Sequence, residues 1–225
     1  MRYEIQGAPY PVAVLNMDGG ENVICQSGAM VWMSPNMKMQ TSGGGLGKMF
    51  SRALSGESLF QNTYTAEGGP GMIAFASTCP GDLLAIDLQP GQSIVAQKTA
   101  FLASASTVSY EMFFQKKIGA GFFGGEGFIM QKFTGSGLVF LEINGGTVEY
   151  NLAPGETMLV DTGYLAAMEA TCSMDVETVK GIGNIIAGGE GLFNTKVTGP
   201  GKIWLQTMPS NILAEAIRPY IPTGN

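Results

Sequence analysis

The sequence contains no histidine. That excludes Ser-His-Asp and Cys-His catalysis, histidine-ligated metals and the one side chain that ordinarily titrates near neutral pH. Cysteine is scarce as well. Cys25, Cys79 and Cys172 stand far apart, which excludes a CxxC redox pair and a cysteine-rich zinc site. An odd, sparse set fits buried thiols in a reducing compartment. Charged residues make up only 13% of the 225, and the balance is negative, with a net charge of −6. An acidic chain gains little from counterion release on a phosphate backbone, so nucleic acid is not an expected partner. No polybasic run suits a membrane surface, and no apolar run approaches the ~20 residues of a membrane helix. The opening residues, MRYEIQGAPYPV, have no apolar core of a secretory signal. A soluble, cytoplasmic chain is the expectation.

Glycine and apolar residues are plentiful: 33 Gly, and 45% of the chain hydrophobic. Mixed together at low charge, they point to short strands and tight turns, not to disorder. The glycines are ordered into a pattern. Gly124–Gly137 reads GGEGFIMQKFTGSG, Gly188–Gly201 reads GGEGLFNTKVTGPG, and Gly56–Gly71 reads GESLFQNTYTAEGGPG. Glu57, Glu126 and Glu190 open a strand, and Thr65, Thr134 and Thr198 close it eight residues later in each copy.

A second element recurs in the same register. VAVLNMDGGE (Val12–Glu21), LLAIDLQPGQ (Leu83–Gln92) and TVEYNLAPGE (Thr147–Glu156) are each a strand, a turn of constrained residues and a polar residue. Pro90-Gly91 and Pro154-Gly155 have type II turn chemistry, and Gly19-Gly20 can do the same without proline. Past the turn come NVICQSGAMVWM, SIVAQKTAFLAS and TMLVDTGYLAAM, each a strand, a kink and a strand. The runs are short, rich in Val, Ile, Phe and Met, and bounded by Gly, Pro, Asn or Ser, which is the strand signature. The chain therefore divides into a β unit over 1–79, a second over 80–143 and a third over 144–208. Residues 209–225 form a C-terminal helix and tail. Two stretches suit helices: Leu46–Leu54, and Asn211–Tyr220 with Ser210 or Asn211 as N-cap and Ile212, Leu213 and Ile217 packing it. Isolated small sheets are marginal, so units of this size cover one another's edges, and closing them into a ring covers the rest. A homo-oligomer of cyclic symmetry, with three chains and nine units, is the expected assembly.

Several motifs carry chemistry elsewhere. Gly119–Gly124 matches GxGxxG, but a strand follows where a dinucleotide loop needs a helix. Gly43–Lys48 resembles a phosphate-binding loop, but Met49 stands where Ser or Thr must hold the metal. The three glutamates could form equivalent carboxylates for a cation; the better reading is that they accept hydrogen bonds from glycine-turn amides. Leu46, Phe50, Phe122, Phe123, Ile185 and Ile186 lie in apolar glycine-rich segments and are candidate interface residues, either buried at subunit contacts or presented to a protein or membrane partner.

The residues GGEGLFNTKVTGPGKIWLQT (Gly188–Thr207), the PGE turn (Pro154–Glu156), SGAMVWMS (Ser27–Ser34) and LAEAIRPYIP (Leu213–Pro222) carry a family pattern. Over essentially its whole length the chain resembles the bacterial and archaeal relatives of the altered-inheritance-of-mitochondria protein 24 family, a domain of unknown function. The resemblance implies a TRAP-like fold, a short double-stranded β-helix named after the tryptophan RNA-binding attenuator protein. It also implies three such units per chain and a trimeric ring. Eukaryotic relatives look mitochondrial and linked to inner-membrane organisation. No enzymatic activity, catalytic residue or cofactor is implied, and the attenuator protein's RNA-reading basic residues have no counterpart here. The expected function is a non-catalytic oligomeric scaffold or binding protein. The alternatives are an interaction module using the apolar loops and a small-ligand binder.

Overall fold

The computed structural model describes residues 1–41, 61–116, 127–178 and 193–221. Nineteen strands run through them. The first seven are β1 (Arg2–Gln6), β2 (Val12–Met17), β3 (Asn22–Gln26), β4 (Met30–Met33), β5 (Met37–Thr41), β6 (Gln61–Ala66) and β7 (Gly71–Ala76). Then come β8 (Gly81–Leu88), β9 (Ser93–Gln97), β10 (Phe101–Ala105), β11 (Val108–Lys116), β12 (Phe128–Gly135) and β13 (Gly137–Asn144). The last six are β14 (Thr147–Leu152), β15 (Thr157–Asp161), β16 (Leu165–Glu169), β17 (Ser173–Thr178), β18 (Phe193–Thr198) and β19 (Gly201–Gln206). A short helix, α1 (Ser210–Ile217), follows β19 and runs into a 3-10 turn at Arg218–Tyr220. The described residues are all-β apart from this helix and single 3-10 turns. Among the described residues no helix is long and apolar enough to cross a membrane.

The turns form where local chemistry requires them. Gly20, Gly91 and Gly155 have φ of 87°, 85° and 78°, a region that costs a side-chain-bearing residue about 1–2 kcal/mol. The following polar residue closes each turn twice. Glu21, Gln92 and Glu156 donate their backbone amides to the carbonyls of Asp18, Gln89 and Ala153 at 2.9–3.0 Å. Their side chains accept back from the amides of the same three residues at 2.7, 3.0 and 2.7 Å. One residue thus satisfies both backbone groups of its turn.

Strand pairing follows one scheme three times, antiparallel throughout. β2 pairs with β7, β3 with β6, β4 with β7 and β5 with β6. β8 pairs with β13, β9 with β12, β10 with β13 and β11 with β12. β14 pairs with β19, β15 with β18, β16 with β19 and β17 with β18. A bulge recurs between Met30 and Trp32, Phe101 and Ala103, and Leu165 and Ala167. Three apolar clusters lie between the sheets. Leu15, Ile73 and Phe75 anchor the first, Phe101, Phe133 and Leu141 the second, and Leu165, Met168 and Ile203 the third. In the second cluster the Phe101 and Phe133 rings stack at 5.4 Å.

The C-terminal helix forms, with two corrections. Pro209 is its N-cap, not Ser210 or Asn211, and no side chain caps it. No residue of α1 is buried: Ile212 and Ile217 are exposed and Leu213 is half-buried. The apolar stripe at 212, 213 and 217 therefore does not pack onto this chain's core. Cys25 and Cys172 are buried as expected, whereas Cys79 is only half-buried, because it sits in the connection between β7 and β8. The Leu46–Leu54 segment lies outside the described residues.

Candidate functional site: the open sheet edges

Two further pairings join the three sets of strands. β3 pairs with β10, and β9 pairs with β16. Each junction fuses three strands of one set with three of the next, giving six-stranded sheets in the order β5-β6-β3-β10-β13-β8 and β11-β12-β9-β16-β19-β14. The strands left over form two smaller sheets, β1-β2-β7-β4 and β15-β18-β17. Among the described residues one ends at β4 and the other at β15. These are the positions that β10 or β16, and β3 or β9, occupy at the junctions.

Burial differs sharply between the junctions and these two ends. The recurrent bulge aligns Trp32 with Ala103 and Ala167, and Val31 with Leu102 and Ala166. The four junction residues are fully buried, whereas Trp32 is 47% and Val31 46% exposed. Similarly, the pairings Asn22–Thr65, Ser93–Thr134 and Thr157–Thr198 align Leu159 with Val95. Val95 is 0% exposed and Leu159 63%. Open strand edges carrying exposed apolar side chains are templates for pairing with another chain.

A buried glutamine fastens the second junction, and further buried polar side chains hold the turn beside it. Gln97 of β9 donates through Nε2 to the carbonyl of Leu165 at 2.7 Å, and Gln206 of β19 donates to that of Gly163 at 2.7 Å. Both glutamines are 4% exposed, and they satisfy carbonyls around the 3-10 turn Thr162–Tyr164 that leads into β16. Thr195 Oγ1 donates to Thr162 Oγ1, which donates to the Phe193 carbonyl. On β13, at the place Gln206 holds on β19, the buried Glu142 carboxylate accepts from Ser77 Oγ at 2.8 Å and the Thr78 amide at 2.7 Å. It thereby clamps the connection from β7 to β8. At the outer rim, Glu149 accepts from Lys202 Nζ at 2.8 Å and Trp204 Nε1 at 2.9 Å. The Lys202 ammonium holds the Glu149 carboxyl below its ordinary value against a smaller opposing effect of burial. Burial pushes the Cys25 thiol up to about 12 and raises that of Cys172. Neither is a thiolate nucleophile at neutral pH.

Two clefts flank the junctions. One, of about 710 Å3, is lined by Glu21, Asn22, Asp87, Thr107 and neighbours; the other, of about 460 Å3, by Gln92, Ser93, Lys132, Glu169 and neighbours. Thr65, Thr134 and Thr198 lie at one register position beside these turns, opposite Asn22, Ser93 and Thr157. Thr134 and Ser93 share a hydroxyl hydrogen bond of 2.9 Å, and Thr198 and Thr157 one of 3.2 Å. Opposite Thr65, the buried Asn22 Oδ1 has no hydrogen-bond partner among the described residues. Glu57, Glu126 and Glu190 lie outside the described residues, as do Leu46, Phe50, Phe122, Phe123, Ile185 and Ile186. The residues that sequence reasoning missed are Val31, Trp32, Met33 and Leu159. A signal was present in the aligned second strands, where Trp32 replaces the two alanines.

The family model described as mitochondrial biogenesis AIM24 matches residues 3–208. An uncharacterized protein of Streptococcus pyogenes serotype M6 is 31% identical over 237 residues, covering 100% of this chain and 93% of its own. The X-ray crystal structure of a Streptococcus pyogenes protein superposes with a TM-score of 0.82 at 27% identity, covering 98% of this chain and 99% of that one.

Proposed function

The chain belongs to the mitochondrial biogenesis AIM24 family, and we propose that it is a non-catalytic scaffold or binding protein whose copies assemble into a closed β-ring. On this reading the three sets of strands are tandem TRAP-like units, and three chains close the ring. The observation that supports it is the unfinished sheet at each end of the strand series, at β4 and at β15. A reducing cytoplasm suits the three unpaired cysteines. Catalysis has no part in the reading: the thiols at 25 and 172 are held protonated, and the buried Glu142 is fully engaged by Ser77 and Thr78.

Size-exclusion chromatography with light scattering tests this reading. The expected mass is about three times the 23.6 kDa of one chain. A stable single-chain mass at micromolar concentration would overturn it.

A further inference from the structure

We infer that β15 of one chain pairs antiparallel with β4 of a second copy, in a register that the two internal junctions dictate. The inference rests on the assembly reading above and specifies its joint. At the first junction Cys25 faces Ala103, Ile24 faces Ser104 and Val23 faces Ala105. At the second, Ala96 faces Ala167, Val95 faces Met168 and Ile94 faces Glu169. The threonine pairings align 23, 24 and 25 with 94, 95 and 96, and with 158, 159 and 160. The bulges align 103, 104 and 105 with 167, 168 and 169, and with 32, 33 and 34. The two junctions therefore use one register, independently. Applied to the free edges, it sets Val160 opposite Trp32, Leu159 opposite Met33, and Met158 opposite Ser34.

Three observations favour a second copy of this chain as the occupant. First, the two short sheets are complementary: β17-β18-β15 followed by β4-β7-β2 of a neighbour reproduces the order of both six-stranded sheets, with β1 as one added strand. Second, apart from Val160, which its own chain already buries, the side chains that the register brings together are incompletely buried. Met33 is 37% exposed where Ser104 and Met168 are 2% and 0%, Trp32 is 47% exposed where Ala103 and Ala167 are 0%, and Leu159 is 63% exposed where Val95 is 0% and Ile24 half-buried. Third, Trp32 is an anchor-type residue, and tryptophan is enriched where interfaces are fully desolvated. Because β4 and β15 are different surfaces, the contact is head-to-tail and repeats from copy to copy, as ring formation needs. A symmetric pairing of two β15 edges, or of two β4 edges, would cap the series after two chains.

The test uses the full chain with Cys79→Ser, so that the half-buried native thiol does not compete. Chains carrying Met33→Cys and chains carrying Leu159→Cys are co-expressed with different tags and mildly oxidised. A disulfide-linked pair containing one of each is expected, with no link when either is oxidised alone. In parallel, Leu159→Lys is expected to reduce the assembly to the mass of one chain while leaving the circular dichroism spectrum unchanged, since Leu159 is exposed in the single chain. An assembly of unaltered mass in Leu159→Lys, or a link formed by Leu159→Cys alone, overturns the inference but leaves a multi-chain scaffold standing. A wild-type protein of single-chain mass removes both.

Discussion

Glu142 is the side chain on which the β7–β8 connection depends, and replacing it has a calculable cost. The residue is 4% exposed on β13, and its carboxylate takes the Ser77 hydroxyl at 2.8 Å, the Thr78 amide at 2.7 Å and the Thr78 hydroxyl at 3.1 Å. A hydrogen bond to a charged group contributes about 1.5–3 kcal/mol. Ser77 is half-buried and Thr78 exposed, so water recovers part of what the variant loses. For Glu142→Ala the net loss is then about 2–3 kcal/mol. In a chain of this size that lowers Tm by roughly 4–12 °C. Glu142→Gln keeps the volume and one acceptor oxygen, loses the charge and brings an unmatched amide, for a loss of about 1 kcal/mol. Urea titration followed by tryptophan fluorescence, with Trp204 buried as a reporter, measures both. Glu142→Ala within about 0.5 kcal/mol of wild type would refute the clamp. So would a Glu142→Gln loss equal to that of Glu142→Ala, which would mean that charge plays no part.

Acid should weaken the Glu149 contact. Its carboxyl is held below the ordinary value of 4.5, first by the Lys202 ammonium, so its contribution is present above that value and is lost as pH falls through the depressed native one. Glu149→Gln should flatten the stability profile on the acid side of pH 4.5, read by urea midpoints at several pH values; an unchanged slope would count against the pairing. Thiol labelling provides a second check. With Cys25 raised to about 12 by burial and Cys172 raised likewise, a maleimide at near-neutral pH should modify Cys79 first and reach the other two only on unfolding, as intact mass would report. Cys25 reacting as fast as Cys79 in the native protein would contradict the packing of the first core.

Much of the local structure was legible in the residues. Turns at Gly20, Gly91 and Gly155 follow from a glycine that accepts positive φ and a polar residue that bonds back three positions. Both effects act within four residues, so sequence suffices. The expectation of a packed C-terminal helix failed for the complementary reason. The stripe at Ile212, Leu213 and Ile217 shows which face is apolar, but no local rule supplies the surface that would cover it. The same applies to Trp32 and Leu159, which sit in strands resembling buried ones.

Sequence by itself determined the strand class, the turn positions and the threefold recurrence of the Glu-to-Thr spacing, because each is written in nearest-neighbour chemistry or in periodicity, and its motifs carried the resemblance to the family. Tertiary structure alone decided that the first strand of each set pairs with the sixth, that β3 meets β10 and β9 meets β16, and that β4 and β15 are left as edges among the described residues. Strand pairing joins backbone groups that lie tens of residues apart, and the backbone is the same in every strand. Three similar segments can therefore read alike while two are enclosed by neighbours and the third ends at an open sheet margin.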